Sequence, residues 1–148
     1  MRDWGLGIGD WGANVSMVRS YRDLEVWQSA MDFAAECYRL AKLMPKPEEF
    51  RITGQLLRAA DSVPANVAEG WMRATRKDYA RFISIARGSL AEAETFLLLA
   101  VRAGLLQEQD TKSAMSIADR SGASSTCCGP SSQEPPRIPN PQSPILNP

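Results

Sequence analysis
Histidine is absent from the whole 148-residue chain. That absence removes Ser-His-Asp and Cys-His catalysis, imidazole acid–base chemistry and histidine metal sites. Cysteine is scarce. Cys37 falls within an apolar helical pattern and reads as a buried thiol, while Cys127 and Cys128 are adjacent in a serine-rich stretch, a spacing that suits neither a metal knuckle nor a disulfide framework. Net charge is missing too: 17 basic residues balance 17 acidic ones, so any preference for nucleic acid or membrane must be local. The most apolar stretch, residues 95–103, is interrupted by Arg102 and flanked by Glu92 and Glu94, far short of the roughly 20 residues of a membrane span. The chain's start lacks the apolar segment preceded by positive charge that marks a secretory signal. A soluble, cytoplasmic protein is expected. No glycine-rich phosphate loop, nucleophile elbow or paired-carboxylate metal motif occurs, so no metal, cofactor, small-molecule substrate or enzymatic activity is expected.

What the chain does have is helical periodicity. Asp23 can cap a first helix over residues 23–43, with Leu24, Trp27, Met31, Ala34, Tyr38 and Ala41 as its stripe and Val26, Phe33 and Cys37 widening it. Pro45 and Pro47 end it. A second helix is expected from Glu48 or Glu49 to Gly70, burying Ile52, Leu56, Ala59 or Ala60, Val63 and Val67. Pro64 interrupts that pattern and predicts a kink or a fresh helix start, with Ser62 and Asn66 able to bond the freed backbone groups. Asn66 and Glu69 read as braces for the turn that follows, through backbone bonds. Residues 71–75 are the expected loop, and Thr75 with Asp78 resembles a capping box. A third helix over residues 76–103, roughly 40 Å long at 1.5 Å per residue, ends at Gly104. Along it Tyr79, Phe82, Ala86, Ser89, Ala93, Phe96 and Ala100 recur at steps of three and four, with Ile83, Leu90 and Leu97 beside them.

The ends lack such a pattern. Residues 1–16 hold Asp3-Trp4-Gly5 and Asp10-Trp11-Gly12 without a period that could pack, and read as a disordered extension ahead of a start at Met17. The bundle domain is placed at residues 17–106. Residues 107–148 read as an irregular tail, disordered from 120 onward, rich in Ser, Pro, Asn and Gln.

The one local excess of charge lies around the second turn. Arg73, Arg76, Lys77, Arg81 and Arg87 against Asp78, five cations less one anion, leave +4 over residues 73–87. Basic residues at a helix start oppose its dipole, so the cluster is a candidate phosphate-binding surface as well as a solvated face. Trp27, Tyr38, Tyr79 and Phe82 stand at helical spacing and read as core or subunit packing rather than base-stacking platforms. Asp23 and Glu25 beside Arg22 read as capping and rim charges rather than a catalytic pair.

Residues 21–27 (YRDLEVW), 56–70 (LLRAADSVPANVAEG) and 82–92 (FISIARGSLAE) together resemble the four-helix-bundle proteins encoded in intervening sequences of 23S ribosomal RNA genes. The motif positions carrying the likeness include Trp27, Pro64, Asn66, Glu69 and Gly70. The resemblance implies an all-α, antiparallel up-and-down protomer that assembles into a homopentameric ring without known catalysis. A similar accessory subunit of diversity-generating retroelements binds a reverse transcriptase and nucleic acid through a basic surface. By this pattern a fourth helix should follow Leu106, and the polar tail offers none, so the helix is expected to be lost or frameshifted. One codon choice for residues 117–132, read from the third base, encodes a leucine-rich amphipathic helix. Codons can also be chosen that make the two chain ends complementary, as an inverted repeat would. The functional expectation is a self-associating scaffold that binds RNA, DNA or a nucleic-acid enzyme. The rival is a structural or selfish-element product, a degenerate copy without nucleic-acid binding.

Overall fold
The computed structural model describes residues 18–125. Four α-helices account for most of them: α1 (Glu25–Ala41), α2 (Gly54–Met72), α3 (Arg76–Arg102) and α4 (Glu108–Ser125). They run up and down, each packed on its sequence neighbours, with α4 closing back on α1 and α3 lying diagonally across from α1. No strand occurs among the described residues. The expectations for residues 1–17 and 126–148, including the complementary ends, lie outside the described residues.

The core forms where the apolar stripes converge. Phe33, Cys37 and Leu40 of α1, Leu56 and Val67 of α2 and Leu97 of α3 are almost wholly buried. A fully buried side chain of this size stabilises the fold by about 1.5–3 kcal/mol. In α3 the buried line is Ile83, Ala86, Leu90, Ala93, Leu97 and Ala100, with Tyr79, Phe82, Ser89 and Phe96 half-buried along its edge. Alanines alternate with the larger residues, which lets the neighbouring backbones approach.

The first helix is rotated relative to its expected stripe. Ala30, Phe33, Cys37 and Leu40 face inward, whereas Met31 and Tyr38 are 44% and 46% exposed. The helix carries more apolar width than the bundle interior absorbs. Asp23 does not cap it. Its carboxylate instead accepts the Ser20 amide at 2.9 Å and closes a short 3-10 turn over Tyr21–Asp23. Leu24 then adopts an extended conformation, and α1 begins at Glu25 without a side-chain cap.

The second helix starts later than expected. After Pro45 the chain makes a 3-10 turn, Lys46–Glu48, and a wide turn, Glu49–Thr53, whose backbone leaves helical geometry at Arg51 (φ −108°, ψ −108°). The buried Thr53 hydroxyl lies 3.1 Å from the Met44 sulfur and ties this linker to the end of α1. From Gly54 one helix runs through Pro64 to Met72, and no new helix starts at the proline. Ser62 donates to the Arg58 carbonyl at 2.8 Å and Asn66 to the Ser62 carbonyl at 2.7 Å. Both bonds reach back one turn along α2, and neither spans the α2–α3 turn.

Gly70 is not a terminator. It lies buried inside α2, where a β-carbon would stand 2.7 Å from Phe82 Cβ and 3.4 Å from Tyr79 Cδ2. Only a bare α-carbon lets the two helices close there. The reversal is made by Ala74, in the left-handed region at φ +57°. At the far end of α3, Gly104 takes φ +73° and stops the helix as expected.

The fourth helix is present, contrary to the irregular tail expected over residues 107–148. It is built from the sequence as it stands, which removes the ground for seeking it in another reading frame. Its inward face is Thr111, Ala114, Ala118 and Ser121, spaced three, four and three apart. Small and hydroxylated side chains make a face that hydropathy hardly registers. Two polar ties fix it to α1: Arg39 donates to the Asp110 carbonyl at 3.2 Å, and the Ser29 and Ser121 hydroxyls meet at 2.7 Å. Ser121 also donates to the Ile117 carbonyl at 3.0 Å, so no buried hydroxyl is left unpaired at that contact.

Candidate nucleic-acid interface
Among the described residues the α2–α3 hairpin extends past the start of α1 and the end of α4. Arg87 shares a small internal cleft with Val26, Ala30, Val67 and Ser121 and so marks the level where α1 begins and α4 nears its end. Arg76 stands eleven residues before it on α3, roughly 16 Å further along the axis. Among the described residues the hairpin tip is held mainly by its own two arms, with the Tyr21–Asp23 turn packed against α2 below it.

Those arms are fastened by aromatic and charged contacts. Trp71 meets Tyr79 edge to face at 6.4 Å, and the Arg73 guanidinium lies 5.6 Å from the centre of the Phe82 ring. Glu69 reaches Arg73 at 2.6 Å, a charge-assisted bond that, with its Coulombic attraction, raises the arginine's pKa. Thr75 caps α3 by accepting the Asp78 amide at 3.0 Å while donating to the Asp78 carboxylate at 2.7 Å. The capping role expected for Thr75 is thus filled, with the carboxylate turned to the hydroxyl. Glu69 braces the turn twice: its carbonyl accepts the Arg73 amide at 3.1 Å, the kind of backbone bond expected of it, and its carboxylate takes the Arg73 guanidinium.

The five expected cations separate. Arg73 is committed to Glu69 and Phe82. Arg87, also exposed, stands a turn and a half beyond Arg81 at the mouth of the small cleft. Arg76, Lys77 and Arg81 are exposed on the first turns of α3 and form no ion pair among the described residues. At 100° per residue they spread over about 140° of the helix circumference, so they present charge to an extended strand or surface and not to one bound anion. Their position at a helix N-terminus adds the positive end of the dipole to their own charge. The exposed Met72, 68% accessible, sits beside them.

Of the aromatic residues, Trp27 is half-buried in an outer groove and meets Tyr21 edge to face at 5.3 Å, while Tyr38 donates to Asp61 at 2.9 Å. This groove was not foreseen; its signal was the excess apolar width of α1. Among the described residues no three Cys, Asp or Glu side chains gather closely enough to hold a metal ion, and no helix is long and apolar enough to cross a membrane.

No curated protein matches the chain. Among solved structures, its fold is similar to that of a protein of unknown function from the S23 ribosomal protein family of Bacteroides thetaiotaomicron VPI-5482. The TM-score is 0.64 at 23% sequence identity, covering 69% of this chain and 95% of that one. That likeness is one of fold. In sequence, residues 22–124 match the family described as 23S rRNA-intervening sequence protein, a span that begins just before α1 and ends within α4. With more than half of its length matched and all four helices in place, the chain belongs to the 23S rRNA-intervening sequence protein family.

Proposed function
We infer that this protein is a non-enzymatic, self-associating helical bundle that serves as a binding scaffold for RNA or for a partner that processes nucleic acid. The observation that carries this reading is the protruding hairpin tip, where Arg76, Lys77 and Arg81 stand exposed without acidic partners while Arg73 is already neutralised by Glu69. A chain of zero net charge that concentrates unpaired cations at one projecting end is suited to a polyanion that touches that end alone. The resemblance adds a ring of five copies, which would repeat the tip around one axis, and a reverse transcriptase as the kind of partner served.

Binding of a single-stranded RNA oligomer followed by fluorescence anisotropy tests the reading. The triple variant Arg76→Ala, Lys77→Ala, Arg81→Ala should bind at least about tenfold more weakly at low salt, through loss of counterion release. Equal binding by parent and variant removes the RNA role and leaves the structural or selfish-element product.

A further inference from the structure
Between the end of α1 at Ala41 and the start of α2 at Gly54 the chain makes two turns, and beside them lies a pocket of about 410 Å³. Small-molecule sites run from about 300 to 1,000 Å³. Its apolar walls are Ala41, Met44, Pro45 and, from the first turn of α2, Leu57. Lys42 and Lys46, both exposed, border it and form no ion pair among the described residues. No carboxylate lines it among the described residues; Glu48, close by in sequence, is set against Arg51 at 3.9 Å. Thr53 also lines the pocket and is 6% exposed. Its hydroxyl donates to the Met44 sulfur at 3.1 Å, its one side-chain hydrogen bond among the described residues. A thioether is a weak acceptor, and an anionic oxygen in the same pocket is a stronger one.

We propose that this pocket binds a small molecule with an apolar body and an anionic head group, the body against Met44 and Leu57 and the head at Lys42, Lys46 and Thr53. The C-terminal end of α1 opposes an anion there with a partial negative charge of roughly half a unit. Two lysine charges outweigh it, so the local field favours the anion. The adjoining groove between α1 and α2 shares the Tyr38 wall but has the opposite polarity: Asp61 lines it, and no cation does among the described residues. An anion is therefore directed to the lysine end. Lysine ammoniums act as point charges and take carboxylate and phosphate alike, so either head group fits. The pocket stands apart from the basic tip. From Glu25, near the level of Arg87, α1 runs roughly 24 Å to Ala41, and the tip lies beyond Arg87 in the other direction. The inference thus stands independently of nucleic-acid binding.

Calorimetric titration of the full chain with octanoate, octyl phosphate, octanol and octylamine, which share one apolar body, tests the assignment. At least one of the two anions should bind saturably, one per chain, and whichever binds more tightly identifies the head group. Octanol should bind about tenfold more weakly and octylamine more weakly still. The double variant Lys42→Ala, Lys46→Ala should lower the affinity for the anion about tenfold and leave that for octanol unchanged. Ala41→Leu fills the pocket and should weaken every ligand; circular dichroism checks its helicity, and the lysine pair, at exposed positions, carries the test should that variant unfold. Arg76→Ala, Lys77→Ala, Arg81→Ala should leave anion binding as it was, which separates this site from the tip. Equal affinity for octanoate, octyl phosphate and octanol, a preference for octylamine, anion binding untouched by the lysine pair, or no saturable binding would each overturn the proposal.

Discussion

Gly70 has no room for a side chain, because the β-carbon of Phe82 already occupies the space. Gly70→Ala should therefore push α2 and α3 apart at the hairpin tip and destabilise the fold by about 1–3 kcal/mol in spite of alanine's better helix propensity, as a denaturant titration would show. A stabilised variant would mean that the tip is loosely packed. Read from sequence, this glycine looked like a helix end, since glycine punctuation and glycine close packing leave the same letter in the chain. The actual reversal uses Ala74 at φ +57°, which no sequence rule would select. Cys37 was legible from its apolar neighbours. Burial, with the charges of Glu36 and Asp61, pushes its thiol pKa up to about 12. It should stay unmodified by iodoacetamide in the native protein and react only on unfolding, as peptide mapping by mass spectrometry would report. Alkylation at neutral pH without denaturant would contradict its place in the core.

Three of the four helices announce themselves through stripes of Leu, Ile, Val and Phe. The fourth does not, because its inner face of Thr111, Ala114, Ala118 and Ser121 is read by size and spacing rather than by hydropathy. It is held to α1 by the Arg39 and Ser29 bonds at its two ends, which no periodicity encodes. Against α3 it carries a cost. Glu94, half-buried on α3, has its pKa raised above the ordinary 4.5, first by burial and then by Asp119 of α4. The folded state thus holds this proton more tightly than the unfolded chain does. The favourable contribution is complete below the ordinary value and is lost as pH rises through the raised one. At neutral pH the charged carboxylate opposes the α3–α4 contact. Glu94→Gln should accordingly raise the melting temperature at pH 7 and have little effect below about pH 4, where the parent side chain is already protonated. A lower melting temperature for the variant at pH 7 would show that the carboxylate stabilises that contact.

At the scale of the whole molecule, an all-α bundle and its family were readable from three ordered motifs, because each motif doubles as core packing. The candidate interface was readable only in part. Counting charges over residues 73–87 grouped five cations, but ion pairing and level along the bundle axis separate them: Glu69 engages Arg73, and Arg87, though exposed, lies at the level where α1 begins, away from the three at the tip. The groove between α1 and α2 escaped notice because an apolar residue on an expected stripe is indistinguishable in sequence from one that widens it outward. Among the described residues the bundle thus presents three exposed cations without ionic partners on the first turns of α3, the feature on which the proposed function rests. The most direct test of that account is the salt dependence of single-stranded RNA binding. Each phosphate contact contributes about 0.7 to the slope of log affinity against log salt. Parent protein should bind more weakly as salt rises. Removing Arg76, Lys77 and Arg81 should flatten that slope by about 2. A parent slope near zero, or one that the triple variant leaves as steep as before, would contradict the account.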